Sequence, residues 1–72
     1  MAFNRRGYWV KRSQGEICAI VKADEYYNDM YWDWKKEEFD DCPNPVMELG
    51  MSDEWDKMKE EDILKELGWE DW

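Results

Sequence analysis

The sequence predicts an α+β fold: a small antiparallel β-hairpin or three-stranded sheet packed against a C-terminal helix or helices. Three observations lead there. Two short runs of strand-forming residues lie near the N-terminus, a Pro-containing break interrupts the middle, and an acidic, helix-forming segment closes the chain.

Residues 1–6 (MAFNRR) read as a basic, loosely held lead-in. Residues 7–23 read as the hairpin. Tyr8, Trp9, Val10, Ile17, Ile20 and Val21 favour strands, and the tetrapeptide "RSQG" between them suits a loop. In the second strand, alternation places Ile17, Ala19 and Val21 on one face and Cys18, Ile20 and Lys22 on the other. Both faces are partly apolar, so this strand is expected to be central or well covered.

Residues 24–41 form an acidic aromatic segment whose structure has two readings. The favoured one is a helix capped by Asp24, because Tyr27, Met30, Tyr31 and Trp34 then form one apolar stripe. Tyr26, Trp32 and Phe39 fall off that stripe. The alternative is a third antiparallel strand after a "YND" turn, since Met30, Trp32 and Trp34 also alternate with Tyr31, Asp33 and Lys35. Both readings leave some aromatics exposed beside acids.

Residues 42–51 break regular structure, because Pro43 and Pro45 lack amide donors and restrict the residues before them. Residues 52–72 read as helical. Ser52 suits the N-cap, and Asp53 and Glu54 suit the positive end of the helix dipole. Trp55 and Met58 share one face of a straight helix while Ile63, Leu64 and Leu67 point elsewhere. A break near Lys59–Glu60, giving two short helices, would bring both sets to one core. Gly68 is expected to end the last helix in a left-handed conformation, with Trp69 folded back on Leu64.

At 72 residues the chain is expected to form one small domain, and its core cannot be large. Six Trp, four Tyr and two Phe compensate, since each ring buries roughly 150–250 Å² when covered. The net charge of −9 is unevenly spread. Residues 1–23 hold five bases against Glu16, and residues 24–72 hold five lysines against eighteen acids, so the two parts carry +4 and −13. A field of this sign repels nucleic acid and anionic membranes and attracts basic surfaces. No apolar stretch approaches the ~20 residues of a membrane span, and no apolar signal-peptide core is visible, so a cytoplasmic location is expected. Cys18 and Cys42 read as reduced thiols, the first buried in a strand.

The residue inventory argues against catalysis. The chain has no His and no Thr, and its two serines, Ser13 and Ser52, lie outside any Gly-flanked elbow. Two distant cysteines cannot close a four-ligand zinc site. The acids lack the glycine that a calcium loop needs at its sharp turn. The expectation is therefore a non-enzymatic protein without metal or cofactor.

What remains is a recognition surface. "EYYNDMYWDWKKEEFDD", residues 25–41, sets six aromatics among seven acids. Tyr and Trp dominate binding hot spots, whereas acids are depleted at interface cores. The combination suits a basic partner, whose Arg and Lys side chains pair with carboxylates and lie over aromatic faces. The expected partner-binding residues are Asp29, Asp33, Glu37, Glu38, Asp40 and Asp41 as phosphate-like charges, with Tyr26, Trp32 and Phe39 as apolar anchors. In size, acidity and aromatic content the chain resembles the small proteins that phages make to block host enzymes or defence systems, including anti-CRISPR and DNA-mimic inhibitors. That resemblance is one of general character and gives no residue a role. It implies an inhibitor of a basic, nucleic-acid-binding host protein that contacts neither nucleic acid nor membrane. The other class of function is a structural or adaptor module that forms a homodimer or larger homo-oligomer through its exposed aromatics.

Overall fold

The computed structural model describes residues 4–72. Five strands and one helix follow in order: β1 (Gly7–Ser13), β2 (Glu16–Ala23), β3 (Met30–Asp33), β4 (Glu38–Asp41), β5 (Trp55–Met58) and α1 (Glu60–Leu67). The strands form a single antiparallel sheet in the order β4-β3-β2-β1-β5. The fold is α+β, and the sheet is wider than a three-stranded one.

The β1–β2 hairpin turns through Gln14 and Gly15 alone, with φ of 53° and 83°. Positive φ at both central residues is the type I′ arrangement, whose twist matches that of the flanking strands. The turn is shorter than the tetrapeptide expected because Arg12 and Ser13 stay in the ladder, opposite Ile17 and Glu16. The register shifts between Lys11 and Arg12, where Ala19 and Ile17 are successive partners, so Cys18 is the extra residue of a bulge. That bulge corrects the expected alternation. Ile17 packs with Ile20 rather than opposite it, and Cys18 is exposed rather than buried.

Residues 24–29 are the β2–β3 turn and residues 30–41 the β3–β4 hairpin, not a helix. β3 pairs with β2 through Val21–Tyr31 and Lys22–Met30, and β4 pairs along all of β3. The segment after Ser52 also differs from its expected form. Ser52 Oγ accepts the Glu54 amide, but Trp55–Met58 then runs as a strand against the free edge of β1. The break at Lys59 stands where the expectation put it. A strand before the break places Trp55 and Met58 on opposite sheet faces, each in a different core cluster.

Trp9, Val21, Ala23 and Leu49 are buried on one face of the sheet, with Val46 and Trp55 packed against them. On the other face Val10, Ile20, Trp32 and Ile63 are buried beneath Ile17, Met58, Leu67 and a ring cluster of Tyr8, Phe39, Trp69 and Trp72. Adjacent apolar residues such as Trp9–Val10 and Ile20–Val21 therefore both have a layer to enter. The segment around Val46–Leu49 covers one side, and α1 with the following tail covers the other. Helix α1 begins with Glu60, Glu61 and Asp62 at the positive end of its dipole. It ends at Gly68, with φ 77°. Gly68 N–H reaches Lys65 O and Trp69 N–H reaches Leu64 O, the two bonds of a Schellman cap.

The basic lead-in is more ordered than the sequence suggests. Its first three residues lie outside the described residues, but Arg5 is buried and pairs with Asp29. Among the described residues, no helix is long and apolar enough to cross a membrane.

Candidate protein-binding surface

Asp33 organises the tip of the β3–β4 hairpin. Its Oδ1 accepts the amides of Lys35 and Lys36 at 2.9 and 3.0 Å, and its carbonyl accepts the Glu37 amide at 2.8 Å. These amide bonds, that from Lys36 first, hold the Asp33 carboxyl below its ordinary range. Glu37 closes the turn with φ 58°, a conformation a side chain adopts at some cost. Lys36 Nζ then pairs with Asp40 Oδ2 at 3.2 Å, which raises the lysine pKa.

Beyond the turn, β4 is an outer strand of the sheet. The register sets Asp33 opposite Glu38 and Tyr31 opposite Asp40. These four residues therefore share one face at the outer end of the sheet. Two carboxylates directly opposite one another oppose folding. Lys36 offsets part of that repulsion and is the one cation paired with an acid of this hairpin among the described residues. Asp41 is exposed on the other face, opposite Met30.

Five of the expected site residues are thus brought together on one hairpin: Asp33, Glu37, Glu38, Asp40 and Asp41. Tyr26 is 74% exposed but lies in the β2–β3 turn, at the other end of β3. That turn forms because Asp24 Oδ1 accepts the amides of Tyr26 and Asn28, bonds that keep Asp24 ionised to lower pH than usual, the Asn28 bond foremost.

Two expected residues are buried, which corrects their expected exposure, and a third is partly covered. Asp29 is 3% exposed and Trp32 5% exposed, so neither is a surface contact. Phe39 is half-buried and meets Trp32 edge-on, with ring centroids 5.0 Å apart. The reason is the strand period. It turns Trp32 and its partner Phe39 toward α1, where a helix would have turned them outward.

The aromatics that do face solvent beside the acids are Tyr31 and Trp34, at 38% and 43% exposure. Tyr31 sits among the acids because odd-numbered residues of β3 share their face. Trp34 leads into the turn and donates its indole N–H to the Cys18 carbonyl at the bulge, 3.2 Å away. The alternation of Trp32 and Trp34 with Tyr31 and Asp33 was the sequence signal for Tyr31.

The chain matches no family model, no curated protein and no solved structure. Its chemistry therefore rests on its own side chains. Among the described residues, no three Cys, Asp or Glu side chains are grouped to hold a metal ion. The hairpin offers carboxylates, two exposed rings and the open backbone edge of β4. Those groups can accept hydrogen bonds from cationic side chains and stack on them.

Proposed function

We propose that this protein is a small acidic inhibitor that occupies a basic, nucleic-acid-binding surface of a partner protein through its β3–β4 hairpin. The observation that carries the reading is the composition of the outer strand: Glu38, Asp40 and Asp41 on an open sheet edge, flanked by Glu37 and Asp33 and served by one lysine. Charges on edge strands commonly serve to prevent unwanted pairing. That role alone does not require the opposed Asp33–Glu38 pair, nor exposed Tyr31 and Trp34 beside it.

Glu38 and Asp40 lie two residues apart on a strand, roughly 6.7 Å. This is comparable to the spacing of phosphates along a nucleic-acid strand, so the β-edge sets its carboxylates at a phosphate-like interval. Opposite charge would speed encounter with a basic groove, and the rings would slow departure. The resemblance in size and composition to phage inhibitors of host defence extends the reading to that class of partner. Self-association through the same rings is disfavoured by the like charge of two hairpins.

The test compares immobilised protein with the triple variant Glu38→Lys, Asp40→Lys, Asp41→Lys. The expected result is retention of basic nucleic-acid-binding proteins that is salt-sensitive, blocked by added duplex DNA, and lost in the variant. Equal retention by a normally folded variant overturns the reading. A concentration-dependent homodimer that hides Tyr31 and Trp34 would replace it with the adaptor alternative.

A further inference from the structure

On the helix side of the sheet, Trp32, Trp69 and Trp72 line a recess of about 290 Å³ that opens to solvent, with Glu37 and Asp71 also in its wall. Trp69 and Trp72 meet at 81°, with ring centroids 6.3 Å apart. Trp32 lies behind them, 5.5 Å from Trp69 and 5.2 Å from Trp72 between centroids. We propose that this recess binds an organic cation, a guanidinium or alkylammonium group, between the Trp69 and Trp72 rings, with Glu37 and Asp71 as its counter-charges.

Three observations support it. The first is geometric. A cation about 4.5 Å above each of two perpendicular rings requires centroids about 6.4 Å apart, and attraction to a ring face holds within ~6 Å. The Trp69–Trp72 pair has that spacing and angle, while Tyr8 stacks on Trp72 with centroids 5.6 Å apart. The second is electrostatic. Among the described residues, neither the Glu37 nor the Asp71 carboxylate has a hydrogen-bond or ion-pair partner, although Asp40 and Glu66 nearby in sequence each hold a cation. A neutral apolar guest would leave both charges without a role, and an anion would be repelled.

The third concerns the chain's own cations. Arg5 lies over Tyr27, Lys11 over Trp55, Lys22 over Tyr8 and Lys57 over Trp9, at 4.3–5.9 Å from the ring centroids. This protein therefore covers four of its rings with Arg or Lys. Among the described residues, none of its cations lies over Trp69 or Trp72. The residues of the recess come from two distant parts of the chain, the β3–β4 hairpin and the tail after Gly68, so the recess exists only in the folded protein.

The source of the cation rests on the proposed function: it would be an Arg or Lys side chain of the basic partner, whereas a free quaternary ammonium compound would share the same chemistry. The experiment follows the indole N–H signals of the protein by NMR while methylguanidinium or tetramethylammonium chloride is added at constant ionic strength. Urea and tert-butanol serve as neutral counterparts of matched shape. The expected result is saturable shifts at Trp69 and Trp72 with the cations and none with the neutral probes. Tighter binding of methylguanidinium would assign a protein side chain as the source, and tighter tetramethylammonium a free or methylated ammonium. Glu37→Gln with Asp71→Asn, both at the solvent-facing wall, should weaken binding roughly two- to fivefold per carboxylate. Absence of saturable shifts, equal shifts with urea and tert-butanol, or unchanged binding by the double variant overturns the proposal. The β4 triple reversal leaves Glu37 and Asp71 in place. It should lose partner capture while keeping methylguanidinium binding at physiological salt, so the recess and the hairpin reading fail separately.

Discussion

Arg5 and Asp29 form a buried, two-pronged ion pair, with Nη1–Oδ1 at 2.7 Å and Nη2–Oδ2 at 2.8 Å. Arg5 also donates to the carbonyls of Asp24 and Val46, and Asp29 Oδ2 accepts the Val46 amide. The pair therefore ties the N-terminal segment and the β2–β3 turn to the segment that covers one sheet face. Removing one partner strands the other charge in the interior, a loss of about 3–5 kcal/mol. Asp29→Ala should lower the urea midpoint accordingly, and Asp29→Asn should recover part through its retained acceptor for Val46. A change under about 1 kcal/mol would show that the pair adds little.

Gly68 offers a cleaner local test. A Cβ built there has no heavy atom within 4 Å among the atoms around it, so any effect of Gly68→Ala comes from the backbone rather than from crowding. With φ at 77°, alanine should cost about 1 kcal/mol. Gln14 tests the converse at φ 53°. Asn tolerates that region better, so Gln14→Asn should raise stability by a few tenths of a kcal/mol, read as a higher thermal midpoint.

Tyr8 and Glu60 should give the protein a two-sided pH dependence. Burial first, and the hydrogen bond to Glu60 second, push the Tyr8 phenol up to about 12. The same bond, before any other cause, lowers the Glu60 carboxyl. A raised acid stabilises fully below its unfolded value, near pH 10, and that share is lost as pH climbs toward 12. A lowered carboxyl stabilises above its unfolded value, near pH 4.5, and that share is lost as pH falls through the lowered one. The stability difference between wild type and Tyr8→Phe, from urea titrations, should be flat across neutral pH and shrink at both ends. One of the four tyrosines should also ionise near pH 12 in an absorbance titration.

How much of this could be read from sequence follows the range of each interaction. The Gly68 cap and the break at Lys59 are local, and both stand where the sequence placed them. The form of residues 24–41 is not local. Its apolar residues satisfy a helical stripe and a strand alternation alike, and the choice falls to pairing with β2, which no nearby residue announces. A helix would send Tyr31 and Trp34 inward and Trp32 outward, the reverse of what the strand does. β5 is likewise not announced by its neighbours, since its partner β1 lies over forty residues earlier. The acids could be read as a surface set except Asp29, whose burial depends on a guanidinium 24 residues away.

The strand period decides which rings serve the fold and which face a partner. Trp32 meets Phe39, Trp69 and Trp72 and is almost fully buried, so Trp32→Ala should destabilise the whole protein by about 3–5 kcal/mol. Because Trp32 also lines the Trp69–Trp72 recess, it should reduce binding through loss of the fold and of that recess together. Tyr31→Ala and Trp34→Ala remove rings that already face solvent, and each should cost far less stability. Their effect should appear in kinetics. Dissociation from the captured partner should quicken while association, governed by the hairpin acids, stays unchanged. Single reversals of Glu38 or Asp41 should be mild, on the order of 0.2–1 kcal/mol, and should slow association instead. Stopped-flow or surface-binding traces across a salt series separate the two effects. If Tyr31→Ala and Trp34→Ala together leave dissociation unchanged, the exposed rings are not anchors, and the hairpin would act by charge alone.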